Sequence, residues 1–322
     1  MYRILIQVSL AALALVCGPP SHAQNYPGRT VTIIAPVAAG ASSDIMARIL
    51  ADKLRKQWGQ TVIVENRPGA GLNIGAEVVA KAPHDGYTLL FTPQGPLVAN
   101  KSLYAKLNYD PDALAPVSVV VKVPLVLVVN PKVPAHTVDE LIDYAKAHPG
   151  KLNYASSGGG STPHLTAELL GSKAGISLVH VPYKSNPPAV NDLMGGQVHL
   201  MFLTLGQVLP HIRTGKLRAL AIVSDQRNAL LPNSPTMSET LPGFSVAPWW
   251  GMAAPANTPT AITTKVAADV AAALKQPDVV KWMEDQGGFE AVGSTPADMA
   301  RFMTQERKLW GDLIRAIGAT AD

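Results

Sequence analysis

The sequence predicts an α/β protein built from two Rossmann-like units, and three observations carry this prediction. Strand-like aliphatic runs alternate with helical patterns through residues 31–91, and the alternation restarts after a long apolar stretch at 117–129. A proline-rich, irregular stretch at 231–248 then leads into a largely helical remainder. Such alternation is typical of parallel sheets covered by helices on both faces.

Each element is predicted from an apolar run bounded by turn residues or from apolar residues at helical spacing. The first unit comprises a strand at 31–35, a helix at 43–57, a strand at 62–65, a helix at 74–81 and a strand at 87–91. After a break at 130–134, the second comprises helices at 138–148, 163–173, 187–194 and 206–214 and strands at 152–155, 178–181, 198–202 and 217–223. The chain returns at 249–254 and ends in helices with one short strand at 289–292.

These elements divide the chain into two lobes joined by two crossings. We expect lobe 1 to comprise residues 24–125 and 250–322, and lobe 2 to comprise residues 126–249. Ligands usually bind in the cleft between two such units, at the carboxyl ends of the strands.

Residues 1–23 have the features of a cleavable secretory signal peptide. Arg3 supplies a positive charge, the apolar run is too short to span a bilayer, and small residues precede the expected cleavage point. Cys17 is the only cysteine, and Val16 stands where a lipid-attachment signal needs a small residue. The mature chain, expected to begin at residue 24 or 25, therefore has neither a disulfide nor a thiolate metal site.

Composition argues against several other classes of protein. The formal charge is +4, falling by one with the loss of Arg3, and the basic residues are scattered rather than clustered, so nucleic-acid binding is not expected. The histidines lack metal-ligand spacing, and no G-x-S-x-G nucleophile motif occurs. We expect no catalytic residues, no metal and no cofactor.

A run of small residues joins the first predicted strand to the first predicted helix. Small side chains leave backbone N–H groups accessible, and the unpaired amides and dipole of a helix start suit an anion. Ser42 and Ser43, with Ala39 and Gly40 before them, are therefore candidate ligand contacts. The alternative is a tight turn in which Ser43 or Asp44 only caps the helix.

The same design recurs in the second unit. There Thr162 is predicted to cap the helix and Pro163 to be its first residue. Two such loops, one per unit, are expected to face each other across the cleft. The candidate contacts here are Ser157, Gly160, Ser161, Thr162 and His164.

Two further motifs are less specific. The G-x-G-x-x-x-G at 69–75 follows Pro68, and no acidic residue ends the next strand to hold a ribose, so we expect a structural turn rather than a dinucleotide site. Trp249 and Trp250 stand where the chain returns to the first unit. They either pack at a hinge or place one ring against the ligand, and Trp249 is our candidate for that contact.

Seven segments together carry a specific family pattern: residues 26–27, 35–44, 64–71, 85–90, 152–158, 180–184 and 215–220. They resemble the Bug-type extracytoplasmic solute receptors, the TctC family of tripartite tricarboxylate transporters, over essentially the whole mature chain. The resemblance implies a periplasmic protein with a type II periplasmic-binding-protein fold, whose two lobes close on a solute. It also implies delivery of that solute to membrane permease subunits; we expect the receptor to be a monomer.

The resemblance implies ligand contacts through both loops and through Gln94, the segment 183–189, Leu203 and Thr204. Leu203 stands where the family frequently has an aspartate, which removes a partner for an amino group. This favours an anionic ligand with an apolar body, such as an aliphatic or aromatic dicarboxylate, over an amino acid. The expected function is capture of a small carboxylate for transport; the alternative is a receptor whose loaded form docks on a sensor protein.

Overall fold

The computed structural model describes residues 26–224, 226–244 and 247–321. The predicted signal peptide and the expected start of the mature chain lie outside these residues. The strands are β1 Val31–Ala35, β2 Val62–Asn66, β3 Thr88–Pro93, β4 Ala115–Lys122, β5 Leu125–Val129, β6 Asn153–Ser156, β7 Val179–Pro182, β8 Leu200–Thr204, β9 Arg218–Val223, β10 Trp249–Ala254 and β11 Glu290–Ala291.

Helices connect most of these strands. They are α1 Ser42–Trp58, α2 Asn73–Ala80, α3 Asn100–Leu103, α4 Val138–Ala147, α5 Thr162–Ala174, α6 Asn186–Gly195, α7 Leu205–Arg213, α8 Met237–Thr240, α9 Thr260–Leu274, α10 Pro277–Asp285 and α11 Pro296–Ile317. None of these helices is both long and apolar enough to cross a membrane.

The strands form two sheets. The first sheet has the order β11-β4-β10-β3-β1-β2, and the second has the order β7-β6-β8-β5-β9. The long apolar run of the sequence supplies one strand to each sheet, because Val123 and Pro124 separate β4 from β5. The chain returns to the first sheet at β10.

Both sheets are mixed, which differs from the predicted parallel arrangement. β1, β2 and β3 pair in parallel, as do β6, β7 and β8. In contrast, β10 runs antiparallel to β3 and β4, and β5 runs antiparallel to β8 and β9. β5 and β10 are the strands on which the chain enters each sheet from the other, so no helical crossover sets their direction.

Apolar side chains cover both faces of the first sheet, as expected for buried parallel strands. In β1, Ile33 packs into one core with Leu50 of α1, and Ile34 packs into another with Val79 of α2. The second of these cores continues into the second sheet, where it includes Phe202 of β8. The two sheets are therefore joined by packing as well as by the two chain crossings.

Candidate functional site

The first loop, residues 36–41, connects β1 to α1. Ala41 is the N-cap in extended backbone, with φ of −64° and ψ of 150°, and its side chain makes no capping bond. The helical bonds begin with the N–H of Ile45, which donates to Ala41 O at 2.9 Å. The N–H groups of Ser42 and Ser43 therefore precede the helical bonding and are available to a ligand.

Asp44 braces the first loop from within. Its Oδ2 accepts the N–H of Gly40 at 2.8 Å and Nε of Arg48 at 3.1 Å, while its Oδ1 accepts Nδ2 of Asn66 at 2.8 Å. Burial by itself would raise the pKa of Asp44, but these hydrogen bonds hold it below its ordinary value. The carboxylate thus stays charged, and the Gly40 amide is already engaged inside the protein.

The second loop, residues 157–161, connects β6 to α5. The N-cap is Ser161 rather than Thr162, because Ser161 keeps an extended backbone with φ of −66° and ψ of 157°. Pro163 is accordingly the second helical residue, one place later than predicted. The helical bonds begin with Leu165 N–H, which donates to Ser161 O at 3.0 Å.

Side chains from beneath hold the second loop. The N–H of Gly160 donates to Nδ1 of His164 at 3.0 Å, and the N–H of Gly158 donates to Oγ of Ser156 at 3.1 Å. Ser161 Oγ donates to Gly158 O at 2.7 Å. His164, predicted as a ligand contact, is therefore a support of the loop and is only 8% exposed.

A cleft of about 370 Å³ lies at the carboxyl ends of the strands, between the two sheets. This volume is in the range of small-molecule sites. Its lining residues are Ser42, Ser43, Pro93 and Trp250 beside the first sheet, Thr204, Gly206 and Gln207 beside the second, and Asp285, Gln286 and Phe289 from the segment after α10.

Two helix starts meet at this cleft. Ser42 and Ser43 open α1, and Thr204 is the extended N-cap of α7, whose first turn contains Gly206 and Gln207. The helix that opposes the first loop is thus α7, whereas the sequence predicted α5. The predicted pairing of the first loop with the second loop is therefore not seen in this cleft, and the pairing of α1 with α7 was not predicted.

The remaining cleft lining is uncharged apart from Asp285. Trp250 and Phe289 contact each other edge to face, with ring centroids 5.1 Å apart at 87°. Gln207 and Gln286 carry amide groups that both donate and accept. Asp285 is paired with Lys281 at 3.1 Å, so its charge is partly balanced. The cleft therefore offers amides, hydroxyls and an apolar wall.

The wall segment, residues 285–289, was missed by the sequence prediction. A Cβ at Gly206 would stand 2.5 Å from the carbonyl oxygen of Gln286, and Gly287 has a φ of +107°. Asn228 Nδ2 donates to Gly287 O at 3.1 Å, which fixes this backbone further. The Gly287-Gly288 pair was the available signal, since adjacent glycines often mark a close backbone approach.

Several predicted contacts lie away from the cleft. Gln94 is buried, and its Oε1 accepts the N–H of Trp249 at 3.1 Å. Trp249 itself is fully buried, and this corrects its prediction as a ligand contact: Trp250, its neighbour on the opposite face of β10, lines the cleft instead. Ala39 and Gly40 are exposed in the first loop but do not line the described cleft.

The second loop lies against residues from outside the second sheet, one before β4 and one after α11. A Cβ at Gly160 would be 3.1 Å from Leu103 of α3 and 3.6 Å from Ala321. Ala321 N–H donates to Leu103 O at 3.1 Å. Of the residues predicted there, Ser157, Gly160, Ser161 and Thr162 are partly exposed.

Leu203 is fully buried in the core of the second sheet, which corrects its assignment as a cleft residue. Successive residues of a strand point to opposite faces, so Thr204 reaches the cleft and Leu203 does not. Leu203 therefore does not stand in place of an acidic ligand partner in this cleft, and an aspartate at this position would lie in an apolar core.

A neighbouring cavity of about 400 Å³ lies beyond Phe289 and includes Arg227 and Glu284. Arg227 makes two hydrogen bonds to Glu239, at 3.0 and 2.6 Å, so its guanidinium is already occupied. None of the described residues that line this cavity begins a helix, and the cleft is therefore the better candidate. Within the described ranges no group of three His, Cys, Asp or Glu side chains is arranged to hold a metal ion.

Residues 46–319 match the family described as tripartite tricarboxylate transporter family receptor. Protein BugT of Bordetella pertussis is 38% identical, over 99% of this chain and 98% of its own length. The R. palustris protein Rpa4515, whose structure contains adipate, is 35% identical over 92% of this chain and 99% of its own, with a TM-score of 0.78. MatC of Rhodopseudomonas palustris, with bound malate, is 33% identical over 90% and 100%, with a TM-score of 0.74. These matches confirm the predicted type II periplasmic-binding-protein fold.

Proposed function

The chain belongs to the tripartite tricarboxylate transporter receptor family, and we propose that it captures a small dicarboxylate, aliphatic or aromatic, for uptake by the permease subunits of such a transporter. The family and its structural relatives are solute-binding receptors. We propose the same role here, without catalysis, in the periplasm. The signal peptide at 1–23 remains a prediction for residues that the structure does not describe.

The observation that carries the proposal is the meeting of two helix starts in one cleft. At one end the amides of Ser42 and Ser43 precede the helical bonding of α1; at the other, Gly206 and Gln207 occupy the first turn of α7. Each helix start favours an anion through its amides and its dipole. A ligand with one carboxylate at each end satisfies both, and relatives bind adipate and malate.

The apolar middle of the cleft suits the body of such a ligand. Trp250 and Phe289 present rings rather than charges to this space. A carbon chain or an aromatic ring placed there loses its contact with water and gains dispersion contacts. The absence of a Lys or Arg among the lining residues indicates binding by oriented backbone amides and hydroxyls.

We propose that lobe 1, residues 24–125 and 250–322, and lobe 2, residues 126–249, close on this ligand. The two walls of the cleft come from different sheets, so a bound dicarboxylate links them. Ligand binding then favours the closed arrangement by the difference in affinity between the two states. Ser157, Ser161 and Thr162 of the second lobe are proposed to complete the site on closure, as the family resemblance implies.

A thermal-shift panel tests this function. The purified protein, unfolded and refolded to remove any retained ligand, is mixed with mono-, di- and tricarboxylates that include adipate and malate. A ligand that binds the folded state raises the melting temperature by an amount that grows with the logarithm of its concentration relative to Kd. Stabilisation by a dicarboxylate with no effect from the matching diamide is expected; a complete panel without any shift contradicts the proposal.

Transport is tested separately in cells. Deleting the receptor is expected to abolish uptake of the radiolabelled dicarboxylate that the panel identifies, and restoring it is expected to restore uptake. Unchanged uptake in the deletion strain would instead assign the loaded receptor to signalling.

A further inference from the structure

The two loops share one internal brace. In each, a glycine just before the N-cap has a left-handed φ, +85° at Gly40 and +72° at Gly160. In each, its N–H donates to the side chain four residues later, at 2.8 Å to Asp44 and at 3.0 Å to His164. The brace fixes the direction in which the chain enters the helix.

The acceptors differ in chemistry. Asp44 uses a carboxylate that also receives hydrogen bonds from Arg48 and Asn66. His164 uses a ring nitrogen, and a backbone N–H can only donate, so Nδ1 of His164 must be unprotonated. The brace of the second loop therefore exists only while this imidazole is neutral.

A second histidine extends the support. The ring of His180 stacks on His164, with centroids 4.1 Å apart and planes at 16°. Its Nε2 lies 2.6 Å from Oγ of Ser156, which accepts the N–H of Gly158. Two of the three glycine amides of the second loop are thus tied to the histidine pair, that of Gly160 directly and that of Gly158 through Ser156.

The surroundings of the pair act on its charged form in two directions: burial disfavours that form, whereas the Glu168 carboxylate favours it at His180. Tyr154 of β6 lies 4.9 Å from His180 between centroids, and Glu168 of α5 accepts the Tyr154 hydroxyl. Leu103, Thr320 and Ala321, which lie against the loop, are uncharged. Two imidazolium rings at stacking distance would also repel each other.

We propose that His164 is a positioning residue for ligand capture: its neutral ring, stacked on His180, holds the second loop in the shape that packs against Leu103 and Ala321, and protonation of the pair frees the loop and weakens carboxylate binding. The last part rests on the proposed function. The second loop connects the part of the chain that carries the second sheet to Leu103 and Ala321, beside the first sheet. Because the cleft walls come from these two parts, a mobile loop leaves the walls less firmly placed. Burial lowers the pKa of both histidines, and His180 reaches about 4, with His164 contributing, so both are neutral near pH 7.

The test compares two substitutions of the same residue. His164→Asn places an amide oxygen near the position of Nδ1 and cannot be protonated in this range; His164→Leu removes the acceptor. At pH 7, His164→Leu is expected to speed hydrogen exchange at 156–162 about tenfold and to weaken adipate or malate binding by a similar factor. His164→Asn is expected to stay within about twofold of wild type. His84→Gln, at an exposed histidine, is the matched control.

The dependence of loop exchange on pH distinguishes a role for the His164 ring nitrogen from a role in packing alone. After correction for intrinsic exchange rates, the loop of the wild type is expected to exchange faster at pH 4.5 than at pH 7, whereas the His164→Asn loop responds less. This comparison holds even if His164→Leu does not fold. Equal acid responses in wild type and His164→Asn, or a His164→Asn protein as defective as His164→Leu, would overturn the inference. If the wild type binds no carboxylate, the proposed function fails, while the exchange data still decide the role of His164.

Discussion

Trp249 donates its indole N–H to Oε2 of Glu306 at 3.1 Å, deep inside the protein. The same oxygen accepts the indole N–H of Trp310 at 2.9 Å, and both tryptophans are fully buried. One carboxylate thus satisfies two buried donors from β10 and α11. This contact explains why Trp249 belongs to the core while the adjacent Trp250 reaches the cleft.

Replacing Glu306 is predicted to destabilise the protein strongly. Glu306→Ala leaves two indole donors unsatisfied, and at about 1–3 kcal/mol each the expected loss is about 2–6 kcal/mol of unfolding free energy. Glu306→Gln keeps one carbonyl oxygen and is expected to lose less. Urea unfolding measures the difference, with Glu284→Ala at an exposed position as the control. An unchanged midpoint for Glu306→Ala would contradict this role.

The backbone amide of Ser42 is predicted to contact a ligand carboxylate. Ser42→Pro removes that N–H at the first helical position, where proline is tolerated, and Ala41 already has the extended backbone that precedes proline. Affinity for the bound dicarboxylate is expected to fall about tenfold or more, because a charge-assisted hydrogen bond is lost. Ser42→Ala, which removes only the hydroxyl, is expected to lose less in the same calorimetric titration. Equal affinities for the two variants would show that the Ser42 amide does not contact the ligand.

The contact between Gly206 and Gln286 is predicted to tolerate no side chain. Gly206→Ala places a methyl group 2.5 Å from a carbonyl oxygen, so the wall segment must shift. The expected cost is about 1–3 kcal/mol, with weaker ligand binding. Gly195→Ala is the matched control, since nothing lies within 4 Å of that Cβ. Thermal unfolding of the two variants tests the prediction. Equal melting temperatures would show that the wall segment can shift without loss of stability.

Stability is predicted to decline in acid through His180. Burial, followed by the neighbouring His164, lowers the pKa of His180 from 6.5 to about 4, against the opposing effect of Glu168. The unfolded chain therefore binds more protons between these values, and the stabilisation, complete above pH 6.5, is lost as the pH falls towards 4. Urea unfolding across this range measures it. His180→Gln should flatten part of the decline; an identical slope in both proteins would assign the acid response to other groups.

The alternation of strands and helices was sufficient to predict the two units, since apolar periodicity reports burial directly. The direction of individual strands was harder to predict. β5 and β10 lie antiparallel to their neighbours because they carry the chain between sheets, and a strand's residue pattern does not record its polarity.

The part of the candidate site that a single loop supplies could be predicted from the sequence. Ser42 and Ser43 line the cleft because a strand end and a helix start place them there, and both are local features. Thr204 lines the cleft as predicted, whereas Leu203 does not. The family resemblance indicated the segment but not which face of the strand each side chain occupies. Phe289 joins the cleft through tertiary packing of the segment after α10, which no local pattern in the sequence records.

The glycine contact at Gly206 has a practical consequence for redesign. The close approach of Gly206 to the Gln286 carbonyl brings Gln207 and Gln286 together in the lining of the cleft. Libraries at these two glutamines would alter solute preference on a fixed scaffold. A fluorophore attached beside this contact would report any movement of α7 relative to residues 285–289.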